Sequence, residues 1–208
     1  MNINKDLIKY IEENIFPSYK KNDEGHNLEH IKYVIDRSIK FANSITEINY
    51  DMVYTIASYH DIGHYIDAKN HEKISSEMLL NDIKLRDYFD EEQIKIMSDA
   101  VYDHRASLNI IPRSIYGKIV SSADRNTSID SILKRSYEYV VKHNPNFSLE
   151  EIINECREHV KNKFGNNGYA TDKMYFKDEE YEGFLIGIDN LVNDDIKFRE
   201  RFIEVNNL

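Results

Sequence analysis

Apolar residues recur every three or four positions through almost the whole chain, and little in the sequence interrupts that period. Leu7, Ile8, Ile11 and Ile15 form one stripe, closed by Pro17, and Leu28, Ile31, Val34, Ile35 and Ile39 form the next. Met52, Val53, Ile56, Ala57 and His60 continue the pattern, followed by Ile74, Met78 and Leu79. Ile94, Met97, Val101 and His104 come next, and Ile115, Ile119, Val120 and Ala123 lead into Asp124. Such spacing lines one face of a helix, whereas a half-buried strand alternates every second residue. Only 7 Gly and 3 Pro occur in 208 residues, too few breakers for many short strands joined by tight turns. The pattern predicts an all-α helical bundle.

Local signals support individual helices. Asp90, Glu91 and Glu92 precede Ile94, where the amino end of a helix favours negative charge. Ser148 with Glu151 forms a capping box ahead of Ile152, Ile153, Cys156 and Val160. Two last helices are predicted over 178–192 and 195–205. The stretch 163–177 is the least helical, with turn signals at Gly165 and Gly168 and then the aromatics Tyr169, Tyr175 and Phe176; it reads as a loop, with a short hairpin as an option. No repeat, low-complexity tract or linker is evident, so 1–208 is expected to form a single domain.

Composition narrows the function. The net charge of -10 repels a phosphate backbone, which argues against binding duplex nucleic acid. It leaves room for a small phosphorylated substrate, because a bound cation with local Lys or Arg reverses the field inside one cleft. Cys156 is the only cysteine, which removes intrachain disulfides and cysteine-based metal clusters; it is expected in the core. No apolar run is long enough to span a membrane and the first residues lack a signal-type apolar block. The expected location is the cytoplasm.

The His and Asp residues sit in telling places on the apolar stripes. His30 lies one position before Ile31 and four before Val34. His60 follows Ile56 by four, with Asp61 adjacent, where Gly63 is expected to end the helix. His104 follows Val101 by three, and Asp124 follows Val120 by four. Four separate helices therefore each carry a His or Asp toward a buried or half-buried face. An isolated buried carboxylate loses its hydration at high cost. A divalent cation neutralises it and takes the imidazole lone pairs. Mixed His and carboxylate donors suit Mn, Fe, Co, Ni or Zn, whereas oxygen-only donors favour Mg or Ca; Mg stays among the candidates.

The run Ser58-Tyr59-His60-Asp61-Ile62-Gly63-His64 resembles the signature of the HD-domain phosphohydrolase superfamily. Gly25-His26-Asn27-Leu28-Glu29-His30-Ile31 is similar to that family's first segment, and Ser122-Ala123-Asp124-Arg125 to its closing segment. The His-Asp dipeptide alone is a weak signal; the ordered set is specific. The resemblance covers about residues 20–130, and its best match is to small stand-alone bacterial HD hydrolases that act on nucleotides. It implies an HD core over 20–130 with His30, His60, Asp61 and Asp124 as metal ligands, and C-terminal helices with a substrate-side loop over 131–208. His71 and His104 match positions that hold a second ion in two-metal members and contact phosphate or a bridging water in one-metal members. No GYP sequence follows the HDIG run, so a cyclic di-GMP phosphodiesterase is not implied. Tyr65 and Ile66 follow His64, which departs from the (p)ppGpp hydrolase pattern.

The expected activity is metal-dependent hydrolysis of a phosphoester or phosphoanhydride, of a nucleotide in the first instance, by metal-activated water. Asp61 is part of the catalytic group, and His64 or His104 would give a proton to the leaving oxygen. His26, Arg105, Lys118 and Arg125 are candidate substrate contacts. Tyr169 would stack on a base if the loop with Gly165, Gly168 and Lys173 closes over the site. His143 and His159 lie outside the motifs and are expected at the surface. Two rivals remain: an HD-fold oxygenase holding two irons on His30, His60, Asp61, His71, His104 and Asp124, and a non-catalytic nucleotide-binding regulator. A homodimer is left open.

Overall fold

The computed structural model describes residues 2–108, 110–166, 168–171 and 174–208. It divides into two compact units, Met1–Asp124 with Met174–Phe176, and Arg125–Lys173 with Lys177–Leu208. Among the described residues every regular element is helical, in agreement with the all-α expectation.

The first unit holds α1 (Lys5–Asn14), α2 (Leu28–Ala42), α3 (Tyr50–Tyr59), α4 (His71–Asn81), α5 (Glu91–Asp103) and α6 (Ile115–Ala123). Asparagine side chains start three of them. Asn4 accepts from the amides of Asp6 and Leu7, Asn27 from Glu29 and His30, and Asn49 from Asp51 and Met52, which satisfies amides that have no partner within the helix. Asp90 and Gln93 close a capping box on α5, and Ser114 caps α6. Pro17 sits near the start of a 3-10 turn, Phe16–Lys21, after α1 has ended.

Helix α3 is the axis of this unit. Residues 52–59 are all buried, so the helix is enclosed on every side, and its Thr55 and Ser58 hydroxyls donate to the carbonyls of Asp51 and Tyr54. It packs on α1, α2, α4, α5 and α6. Ile31 and Val34 of α2, Ile56 and Ala57 of α3, Leu79 of α4, Ile94 and Val101 of α5 and Val120 of α6 meet in one core. Each of the larger aliphatic side chains there contributes about 1.5–3 kcal/mol by leaving water. Two tyrosines fix the carboxyl end of α3. Tyr19 Oη donates to the carbonyl of Ser58 at 2.8 Å, and Tyr59 Oη donates to Asp82 Oδ2 at 2.5 Å. The residues after Tyr59 are thereby held to one place.

The second unit packs α7 (Ile129–His143), α8 (Leu149–Phe164), α9 (Glu179–Val192) and α10 (Asp195–Asn206) around Leu133, Val140, Cys156, Val160, Phe184, Ile188, Phe198 and Phe202. Cys156 is in the core, as expected, and His143 and His159 are exposed. The Ser148–Glu151 capping box is present. The described part of 163–177 contains no strand, so the hairpin option is not seen there; Lys173 lies outside the described residues. No helix among the described residues is long and apolar enough to cross a membrane.

Candidate metal centre

The His60–Asp61 pair occupies the turn that ends α3. The helix stops at Tyr59, with His60 as its C-cap, earlier than the Gly63 expected from the sequence. A tight series of turns follows, in which the amide of Ile62 donates to Tyr59 O at 3.1 Å and that of His64 to Asp61 O at 3.0 Å. Gly63 has a different task from ending a helix. A Cβ there would lie 2.7 Å from Ile74 Cγ2 and 2.9 Å from the backbone nitrogen of Ser75. Its amide donates to Ser75 Oγ at 2.9 Å. The glycine lets α4 close directly onto the HD turn, and α4 begins with His71.

Around Asp61 the structure gathers six of the chain's 8 histidines into a closed ring of neighbours. Centroid separations run 5.4 Å from His30 to His60, 5.1 Å to His104, 5.3 Å to His71, 5.2 Å to His64, 3.7 Å to His26 and 6.0 Å back to His30. The Asp61 side chain is only 3% exposed, and its two oxygens face opposite groups. Oδ2 lies 3.2 Å from His60 Nε2 and 3.5 Å from His30 Nε2. Oδ1 lies 3.2 Å from His71 Nε2 and 3.5 Å from His104 Nε2. Asp124, the C-cap of α6, closes the first group with Oδ1 at 3.2 Å from His30 Nε2 and 3.9 Å from His60 Nε2.

Three of these imidazoles have their polarity set by the backbone. His60 Nδ1 lies 2.8 Å from Ala57 O, His71 Nδ1 2.9 Å from Ala68 O, and His104 Nδ1 2.6 Å from Val101 O. A carbonyl only accepts, so each Nδ1 carries the proton, and in the neutral ring Nε2 presents a lone pair. Those lone pairs aim at carboxylate oxygens and at each other, with His71 and His104 Nε2 3.3 Å apart. Asp61 Oδ1 is buried without a hydrogen bond. Lone pairs converging in a buried space need positive charge between them. Donors around one first-row ion, with bonds of about 2.0–2.2 Å, lie roughly 3.0–3.6 Å apart, and the spacings here match that apart from His60 Nε2 to Asp124 Oδ1 at 3.9 Å. His30, His60, Asp61 and Asp124 fit one divalent ion; Asp61, His71 and His104 fit a second.

A third group, Asp23, His26 and His64, differs. The His26 and His64 rings stack 3.7 Å apart at 20°. An imidazole lone pair lies in the ring plane, so two near-parallel rings cannot both direct one at the same ion. Asp23 Oδ1 instead meets His26 Nδ1 at 2.6 Å and so orients that ring. Asn22 Nδ2 donates to the carbonyls of both His26 and Asp61 at 3.0 Å, which ties this segment to the HD turn.

The electrostatics follow the same division. Burial opposes charge on His30, yet hydrogen bonds to Asp124 and Asp61 and their charges raise its pKa to about 9. Burial also opposes ionisation of Asp61, but the imidazoles of His60, His104 and His30 around it hold it well below the usual carboxylate range. Asp124 is lowered likewise, by His30 against its own burial. Burial lowers His104, and burial with the nearby His26 brings His64 down to about 4.

A pH prediction follows for the ion-free protein. His30 moves from about 6.5 unfolded to about 9 folded, worth about 3 kcal/mol. Because the folded value is the higher one, that stability is complete below about pH 6.5 and is lost as pH rises through about 9. Thermal unfolding in chelator should therefore show a lower midpoint at pH 9.5 than at pH 6.5. Added Mn2+ should shrink the gap, since an ion takes the place of the proton. Equal midpoints in chelator would show that His30 is not held by the two carboxylates.

Of the other residues singled out from the sequence, Lys118 lies on α6 with its Nζ 6.0 Å from the Tyr175 ring centroid. Arg105 Nη1 donates to Glu72 Oε2 at 3.0 Å. Arg125 and Tyr169 belong to the second unit, Arg125 buried and Tyr169 exposed. Asn22, Asp23 and Glu72 were not legible as site residues. The one available signal is the three-residue step from Asp23 to His26, which a single helical turn brings together.

The described elements are all helical, and their His and Asp clusters have the spacing of divalent-ion ligands. Residues 27–128 match the HD domain family. The chain is also similar in fold to a predicted HD superfamily hydrolase from an uncultured Thermotogales bacterium, known from a crystal structure. That likeness has a TM-score of 0.47 and 21% sequence identity, covering 74% of this chain and 83% of the other. No curated protein matches.

Proposed function

We propose that the chain is a metal-dependent phosphohydrolase that cleaves a phosphoester or phosphoanhydride in a small substrate, with nucleotides first among the candidates. The observation that carries this reading is the buried Asp61 carboxylate with imidazole nitrogens on both oxygens. His30, His60, Asp61 and Asp124 would hold one ion, and Asp61, His71 and His104 a second. A divalent cation supplies a Lewis acid for a phosphoryl oxygen and lowers the pKa of water from about 16 toward 7.

The chain's own residues do the rest. Backbone carbonyls lock three imidazoles, so no reorganisation is needed when a substrate arrives. The His26–His64 pair lies beside both donor groups, with His26 edge-on to His30 and His64 tilted against His71. It is placed to hold or pass a proton at a leaving oxygen. In the ion-free protein burial keeps His64 neutral at pH 7, and a bound phosphate's negative charge would raise it toward the protonated form. Lys118, Arg125 and Tyr169 remain candidate substrate contacts.

The test is a screen of nucleotides and p-nitrophenyl phosphate with Mn2+, Co2+, Ni2+ or Mg2+, following phosphate or pyrophosphate release and oxygen uptake together. Ion-dependent release without oxygen uptake is expected. Oxygen uptake with iron and no phosphate release would instead support the oxygenase reading, and silence in both would support a regulator. Within the two-ion reading, His104→Ala should leave one ion in the His30 group and remove the other. Turnover should fall by more than the roughly 10–100-fold that loss of an outer partner costs. Retention of both ions, measured by mass spectrometry of the metals, would contradict the assignment of His104.

A further inference from the structure

The ion pair between Arg105 and Glu72 joins the neighbours of the two histidines in the second donor group. Glu72 follows His71 in the first turn of α4, and Arg105 follows His104 after the end of α5. Arg105 Nη1 donates to Glu72 Oε2 at 3.0 Å and to the carbonyl of Lys69. The Glu72 side chain is 8% exposed and that of Arg105 is 31% exposed. A carboxylate buried to that degree requires its partner.

Packing explains why a tie is needed at this place. Helices α4 and α5 lie against one another, and two serines join them partway along. Ser76 Oγ donates to Ser98 O at 2.8 Å, and Ser98 Oγ lies 3.3 Å from Ser76 O. Toward the site both helices end, α4 at its start with His71 and α5 at its close with His104. There the two Nε2 atoms stand 3.3 Å apart. The guanidinium spans the same gap by gripping Lys69 and Glu72 from the residue next to His104.

We propose that Arg105 and Glu72 form a latch that sets the spacing of His71 and His104 and so the affinity of the second ion. Arg105 is then a positioning residue, in place of the phosphate contact its charge suggested. This inference rests on the reading that a second ion binds Asp61, His71 and His104.

The experiment titrates the ion-free full chain with Mn2+ by calorimetry and follows the paramagnetic resonance signal of a coupled ion pair. The parent should bind two ions. Arg105→Ala and Glu72→Gln should each keep the first affinity and weaken the second by about 10–100-fold. The coupled signal should be lost at ion concentrations that saturate the parent. Circular dichroism checks that both variants stay folded, which a general structural role would not guarantee. If the parent binds two ions and Arg105→Ala binds both as tightly, while inorganic phosphate inhibits it less, Arg105 is a phosphate contact and the latch is overturned alone. If the parent binds a single ion, the two-ion reading fails and the latch with it.

Discussion

Replacing His60 and Asp61 together by alanine is expected to leave a helical protein that retains no divalent ion and releases no phosphate above background. Asp61 is the one carboxylate shared by both donor groups, with Oδ2 toward His30 and His60 and Oδ1 toward His71 and His104. Its loss removes a donor from each group at once. Loss of His60 leaves His30 and Asp124 as a two-residue remnant, which falls short of the three or four protein donors such ions require. The fold should persist, because the core of α3 is made by residues 52–59, before the pair, and a buried carboxylate lacking its ion is itself a liability. Metal content after purification without chelator, phosphate release and far-ultraviolet circular dichroism together check this. Hydrolysis at the parent rate would show that the site lies elsewhere.

A single methyl group at position 63 is the second large effect. Gly63→Ala places a Cβ 2.7 Å from Ile74 Cγ2 and 2.9 Å from the Ser75 nitrogen. Helix α4 must then move, at the cost of about 1–3 kcal/mol typical of overpacking. The midpoint of thermal unfolding should fall by about 2–12 °C. The same displacement carries His71 away from Asp61 Oδ1, so retention of the second ion should fall with it. An unchanged midpoint would show that α4 yields freely and that the HD turn does not depend on this contact.

The architecture was legible because a helical period leaves its mark on every amphipathic helix, and because His60 and Asp124 fall four residues after Ile56 and Val120 in that period, with Asp61 beside His60. Other features depend on contacts that no local pattern records. Gly63 reads as a helix stop in sequence, yet α3 ends at Tyr59 and the glycine serves the approach of α4, twelve residues away in its bond to Ser75. Asn4, Asn27 and Asn49 start helices without the acidic cluster that made the start of α5 conspicuous. Asp23 and Asn22 matter through what they hold, His26 and the carbonyl of Asp61. Arg105 and Glu72 are 33 residues apart, and only the packing of α4 on α5 makes them partners. The division of Asp61 between two groups is likewise a property of side-chain direction, which the dipeptide does not encode.

The most direct test of the account is anomalous diffraction from crystals of the Mn2+-loaded protein. Two peaks are expected, one among the Nε2 atoms of His30 and His60 with Asp61 Oδ2 and Asp124 Oδ1, the other among Asp61 Oδ1 and the Nε2 atoms of His71 and His104. A protein that carries manganese with no peak beside either oxygen of Asp61 would contradict it.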